Sequence, residues 1–199
     1  MIAPLGGPYA TRAEAKQRMS IPDSNTSRDS EVDRNLLSGA DAINRWCGRQ
    51  FGRAEVASAR TVTWGPSGAD TPDFWTVVDL SIGGTAWDTG TPPYVLEPRD
   101  GVVDEVPGWP YVRLTSLWTG HPIQPAYGGS SAMEAKWGWA AVPAGVTEAN
   151  LMLMADDLKS GDAPFGVAGF GDYVVRIRAN PKVQEKLAPY IKTRLMVGS

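Results

Sequence analysis

Between Pro143 and Lys159 apolar residues fall on both sides of one helix, and this feature constrains the fold more than any other. On a helical wheel Val146, Ala149 and Leu153 share one side, while Leu151, Met154, Ala155 and Leu158 share roughly the opposite side. Asn150 and Asp157 separate the two stripes on one flank, Glu148 and Lys159 on the other. A helix apolar on two sides must be covered on both. One side is expected to pack within its own chain. The other side, with Leu151, Met154 and Leu158, is expected to face a packed element, and these three are candidates for a contact with a neighbouring subunit. Pro143 stands where proline is tolerated, in the first turn, and Ser160-Gly161 ends the helix.

A second strong helix precedes it. Val32, Leu36, Ala40, Ile43, Cys47 and Phe51 recur at steps of three or four and make one apolar stripe. Ser30 with Asp33 has the spacing of a capping box, and Gly52 stands where glycine commonly follows a helix. Leu37 and Trp46 fall off the stripe, so they are further candidates for a subunit interface. Before this helix, Thr11 and Glu14 have capping-box spacing for a short helix from Thr11 to Met19, which Ile21-Pro22 ends. Near the C-terminus, Tyr173–Arg178 alternates like a strand. Asn180-Pro181 then opens a last helix with the stripe Val183, Leu187 and Ile191.

The middle has a different texture. Proline, glycine and tryptophan become dense, and the apolar runs shorten. Ala59–Trp64, Phe74–Leu80, Tyr94–Leu96, Tyr111–Leu117 and Ala132–Trp139 read as strands separated by turn residues. The expected class is α+β: a small helical bundle core with a β-rich, Trp/Pro/Gly-rich insertion. Residues 1–199 are expected to form a single domain, with N-terminal helices over 1–52, the insertion over 53–140, and a helix, loop, strand and C-terminal helix over 141–199. Eight tryptophans invite two readings: large rings filling a small core, or contacts to other surfaces.

Composition narrows the function. No run of about 18 apolar residues is present, so no membrane span is expected. The opening MIAPLGGPYATRAEAK lacks a basic-then-apolar leader, so no secretory signal is expected. Cys47 is the single cysteine, which fits synthesis in the cytoplasm. The net charge of -3 argues against a protein that grips phosphate backbones. From Phe51 to Ala140, Arg53, Arg60, Arg99, Arg113 and Lys136 face ten acidic residues, so the middle is the acidic part.

Nothing in the sequence assembles a reaction centre. His121, the one histidine, sits in the loop TGHPIQP with no partner pattern for a catalytic triad. Cys47 lies on an apolar stripe, as an inert buried thiol would. One cysteine and one histidine cannot build an ordinary zinc site. Asp156-Asp157 and Asp104-Glu105 lack calcium-loop spacing. The stretch Gly166–Gly171 reads G-x-x-G-x-G and precedes a strand, so it is not a phosphate loop. No catalytic residue, metal or cofactor is expected.

Three stretches then carry a resemblance. They are YATRAEAKQRMSI with SRDSEVDRNLLSGADAINRWCGRQF, then KWGWAAVPAGVTEANLMLMADDL, then DAPFGVAGFGDYVVRIRANPKVQEKLAPYIK. In order and spacing they resemble the head-to-tail connector, or adaptor, proteins of long-tailed double-stranded DNA phages, closest to those of actinobacteria-infecting phages. The resemblance implies a structural virion protein in the neck, made in the host cytoplasm. It implies a dodecameric ring beneath the portal of the head, with a stopper or tail-completion protein below and DNA passing through without specific binding. It covers roughly half the chain, at both ends. In the C-terminal part, Phe165 and Phe170 lie in a glycine-rich loop, Lys192 and Arg194 form a basic end, and Leu195 and Met196 follow. These six are candidate portal contacts, since exposed apolar groups often mark a partner surface. The alternative from another class is a β-rich module that binds carbohydrate or a cell surface through exposed tryptophans.

Overall fold

The computed structural model describes residues 2–65, 68–82, 85–86, 94–103, 106–116, 128–161, 177–178 and 180–192. The chain is α+β and divides into two compact units, one formed by Met1–Gly52 with Val142–Ser199 and the other by Arg53–Ala141.

The first unit is helical. Helix α1 (Arg12–Arg18) starts with the capping box that its sequence predicts: the Glu14 amide donates to Thr11 Oγ1 at 3.2 Å, and the Thr11 amide donates to Glu14 Oε2 at 2.7 Å. Helix α2 (Asp29–Cys47) departs from expectation at both ends. Arg28 is its N-cap with no side-chain cap bond, and the Ser30–Asp33 box is not formed. The Asp33 carboxylate is instead taken by Arg12, whose Nε donates to Oδ1 at 2.8 Å. At the other end Gly48, at φ +66°, takes the left-handed cap and donates its N–H to Asn44 O at 2.9 Å. Gly52 serves close packing instead. A Cβ there would stand 2.3 Å from the Pro4 carbonyl oxygen, so the N-terminal segment passes directly over it. The predicted stripe is buried throughout. Phe51 extends it past the helix end, packed edge-on against Tyr9 at 5.7 Å and Tyr190 at 5.8 Å.

Helix α3 (Ala144–Gly161) packs against α1, α2 and helix α4 (Pro181–Leu187). Both of its apolar sides are buried. Met154 and Leu158 are 0% exposed and Leu151 is 8% exposed, gathered with Ala10, Ala15, Val32 and Leu36. The expected subunit contact at Leu151, Met154 and Leu158 is thus corrected to an internal one, because α1 and α2 of the same chain cover that side. Asn150, also fully buried, ties three segments together: its Oδ1 accepts from the Tyr9 amide at 3.0 Å and its Nδ2 donates to Leu36 O at 2.9 Å. Gly39 makes room for it, since a Cβ there would come within 2.7 Å of Asn150 Nδ2. Helix α4 carries the predicted cap, with the Val183 amide donating to Asn180 Oδ1 at 3.3 Å, and buries Val183 and Leu187. Ile191, the last residue of its predicted stripe, lies beyond the helix and is exposed. Of the strand expected over Tyr173–Arg178, only 177 and 178 are described, and both are helical.

The second unit is built on an antiparallel sheet. Its strands are β1 (Ser58–Thr63), β2 (Gly68–Ile82), β3 (Thr85–Ala86), β4 (Tyr94–Glu97), β7 (Tyr111–Ser116) and β8 (Ser130–Trp137), in the order β1-β8-β2-β7-β4 with β3 beside β2. A separate two-stranded ribbon joins β5 (Val102–Val103) and β6 (Val106–Pro107). All five predicted strands are present. β2 is longer than its apolar run because it serves two partners: its first part pairs with β7 and its later part with β8. Pro72 hides that continuity in the sequence. It falls where the β2–β7 register shifts between Asp70 and Phe74, a place where a missing N–H is tolerated. The core gathers Val62, Trp64, Phe74, Leu80, Leu114, Met133 and Trp137. β8 shows the alternation that puts one face on this core and leaves the other open.

The charges around α1 set an acid limit. Hydrogen bonds from Thr11 hold the Glu14 carboxyl below its ordinary 4.5, and the Arg12 guanidinium holds Asp33 below its ordinary 3.8. A depressed folded pKa contributes stability above the ordinary value and loses it as pH falls through the folded value. Urea midpoints measured from neutral pH downward should therefore fall below about pH 4.5, and Asp33→Asn should flatten that fall. An identical acid profile in Asp33→Asn would refute the assignment.

Candidate assembly surfaces

Among the described residues, Cys47 and Asp156 have structural roles. Cys47 is fully buried, and burial pushes its thiol up to about 12, far from the thiolate that a nucleophile requires. Asp156 accepts from Asn180 Nδ2 at 3.2 Å and so joins α3 to the cap of α4. Among the described residues no group of histidine, cysteine, aspartate and glutamate could hold a metal ion. His121, Asp104-Glu105 and the stretch Gly166–Gly171 lie outside the described residues.

Three of the six described tryptophans belong to the core. Trp64 Nε1 donates to Ser131 Oγ at 2.8 Å, Trp137 Nε1 to Ser58 O at 2.9 Å, and Trp139 Nε1 to Asp73 Oδ2 at 3.0 Å, and all three rings are buried. Trp46, Trp75 and Trp109 are half-buried, and Trp109 rests 5.2 Å from Trp139. Trp75 has both Arg53 and Lys136 at 5.2 Å from its ring. Among the described residues no tryptophan is exposed; Trp87 and Trp118 lie outside them.

On the helical unit the sequence-marked residues separate. Leu37 is 46% exposed at the mouth of a slot of about 330 Å³ between the N-terminal segment and α2. Pro4, Pro8, Leu36 and Leu37 make its apolar wall, and Arg12 with Asp33 forms its charged rim. Trp46 is half-buried and its indole N–H lacks an acceptor among the described residues. Of the six candidate portal contacts only Lys192 is described. Its amide donates to Cys47 O at 2.8 Å, which fixes the chain after α4 to the end of α2. Phe165, Phe170, Arg194, Leu195 and Met196 lie outside the described residues.

Sequence reasoning missed the polar side chains that hold this surface in shape. Lys16 is 5% exposed, and its ammonium is fully employed: it pairs with Asp29 Oδ1 at 2.6 Å and donates to Asn25 O at 2.8 Å and Asp23 O at 3.2 Å. Its neighbour Arg12 joins Asp33 and Asp29, and Arg18 pairs with Glu148 of α3 at 2.7 Å. Only the crowding of opposite charges in residues 12–33 hinted at this in the sequence.

No protein-family model and no curated protein matches this sequence. Solved structures do match its fold. One is a chain of the neck of an empty gene transfer agent (GTA) particle computed with C6 symmetry, with TM-score 0.53 and 18% identity over 96% of this chain and 93% of that one. Another is from the neck of a native GTA particle computed with C12 symmetry, with TM-score 0.50 and 17% identity over 94% and 90% of the two chains. The chain thus has the α+β fold of particle-neck chains across nearly its whole length.

Proposed function

We propose that this chain is a structural, non-catalytic ring subunit of a phage or phage-like neck, placed between the portal of the head and the stopper or tail. The observation that carries the reading is the fold correspondence over 96% of the chain, which spans both units and not one common motif. The C6 and C12 symmetries of the two neck structures support a cyclic assembly, with a dodecamer as its simplest form. Within this class the sequence stretches at both ends favour the connectors of actinobacteria-infecting long-tailed phages. The subunit would be made in the host cytoplasm and come to rest in the neck of the virion. Electron microscopy of the purified protein mixed with the portal protein of its own genome tests the reading. A ring stacked on the portal is expected, and persistent monomers with no portal binding would reject it.

Leu37 and Trp46 are the subunit-contact residues in this reading, with the slot beside Leu37 as the receiving surface. Among the described residues of the helical unit, Leu37 is one of the few large apolar side chains that are exposed. Leu37→Glu is expected to leave the monomer folded, because the side chain is half in water already, and to abolish the ring, because the charge would be desolvated at a contact. Native mass spectrometry beside a melting curve reads both effects. The portal contacts are assigned to Phe165, Phe170, Lys192, Arg194, Leu195 and Met196, and truncation after Lys192 should weaken portal binding.

DNA would pass through the ring without being gripped. Affinity for duplex DNA grows with the number of phosphates neutralised and falls steeply with salt. With 19 basic and 22 acidic residues, the subunit should show weak or undetectable binding at physiological salt in a mobility-shift titration. Sub-micromolar binding with a steep salt slope would mean an active hold on DNA. The carbohydrate-binding alternative gains no support from the six described tryptophans, which are buried or half-buried.

A further inference from the structure

Among the described residues, the β-rich unit has a sheet edge, β1, with no strand beside it. Six consecutive residues of β1 pair with β8 without a register shift, from Ser58 opposite Ala135 to Thr63 opposite Ser130. Ser58, Ala59, Arg60, Thr61 and Thr63 are exposed. The Trp64 amide donates to Gly129 O on the β8 side. Amides alternate sides along an antiparallel strand, so those of Ala59, Thr61 and Thr63 face away from β8. Such an edge is a template for another strand, and proteins commonly blunt it with a proline, a bulge or a projecting charge. β1 has no proline and no bulge. Its one charge, Arg60, lies over the Trp137 ring at 4.3 Å.

The other end of the same sheet is β4, and among the described residues no strand flanks either β1 or β4 on the outside. Each neighbouring pair along the order is antiparallel, so β1 and β4 run in the same direction. A cyclic assembly is head-to-tail and needs two different surfaces that fit each other, one on each side of the subunit. Pairing of β1 with another β1 would use up the edge in a dimer. We propose that the free edge of β1 pairs with the β4 edge of a second copy, so that neighbouring sheets join and the ring closes with both edges filled. This rests on the ring reading above and adds to the contact at Leu37 and Trp46 on the helical unit a second one, on the β-rich unit, through which the copies meet. The small side chains of Ala59 and Thr61 let a neighbouring backbone approach, and main-chain bonds supply the attraction.

Two variants of the full chain test the pairing. Thr61→Pro removes an amide that points away from β8 and that edge strands can forgo. It is expected to keep the wild-type melting temperature and lose all species above the monomer in native mass spectrometry. A folded Thr61→Pro that still forms the wild-type ring overturns the proposal. The second variant, Thr61→Cys with Val95→Cys, is treated with a short bis-maleimide at high protein concentration; the buried Cys47 stays unreactive. A covalent ladder is expected from the double variant and from neither single variant. A cross-linked dimer from Thr61→Cys alone would replace the proposal with β1–β1 pairing. A wild-type ring without the ladder removes the edge pairing and leaves the neck reading standing, whereas neither ring, ladder nor portal binding when the portal protein is added removes both. If Thr61→Pro fails to fold, the cysteine arm decides.

Discussion

Asn150→Leu is expected to destabilise the helical unit by about 3 kcal/mol, even though it puts an apolar side chain of similar size into an apolar core. Asn150 is 0% exposed and holds the Tyr9 amide and the Leu36 carbonyl. Leucine would leave the buried Tyr9 amide with no acceptor, at roughly 1–3 kcal/mol, and would lose the donor to Leu36 as well. The close approach of Gly39 adds to the loss, because the site is shaped for a flat amide. Asn150→Asp separates the two contributions. The carboxylate still accepts from Tyr9, but burial raises its pKa, so that variant should gain stability as pH falls. Urea unfolding of both variants at two pH values checks this. A loss below about 1 kcal/mol for Asn150→Leu would show that water or backbone adjustment replaces the amide.

Met154→Glu carries the second large effect. Two apolar stripes on α3 make Met154 look like a surface to be covered by a neighbour, and a charge there would then block assembly of a folded monomer. The tertiary structure reverses that expectation. Met154 is 0% exposed among Ala10, Val32, Leu36 and Leu158. A carboxylate in that apolar cluster is desolvated, and burying it costs several kcal/mol. The variant should lose about 4 kcal/mol or more and be largely unfolded or insoluble. Leu37→Glu, in contrast, should fold. Circular dichroism of the two variants distinguishes internal from interfacial apolar surface, and a well-folded Met154→Glu would contradict the packing described above.

Much of the local structure was legible from spacing. Thr11 and Glu14 cap α1, Asn180 and Pro181 open α4, and the stripe from Val32 to Phe51 is buried, because caps and helical periodicity depend on residues within a turn or two of each other. The ends of α2 were less legible. Asp33 is drawn away from a local cap by Arg12, a partner from another helix, and Gly48 takes the left-handed position in place of Gly52, which the Pro4 backbone crosses. The five main strands were visible as short apolar runs. The length of β2 was not, because its register shifts and Pro72 break the pattern that a single partner would leave.

The candidate surfaces divide in the same way. A helical wheel states that a side is apolar; it carries no information about which surface covers it. For α3 the answer is the chain's own α1 and α2, so Leu151, Met154 and Leu158 belong to the core and Leu37 keeps its exposure. Asn150 stood on the wheel as a polar divider between stripes, and only the meeting of the N-terminal segment with α2 and α3 gives both ends of its amide a partner. Lys16 is the same case in charge: its burial follows from two carbonyls in the turn before α2 and a carboxylate at that helix's start. The sequence by itself determined the class of elements, their order and most of their caps, since those follow from short-range stereochemistry. Which faces meet within the chain, and therefore which remain for a second copy, was decided by the tertiary structure, because that choice depends on contacts between residues more than a hundred positions apart, as between Leu36 and Asn150.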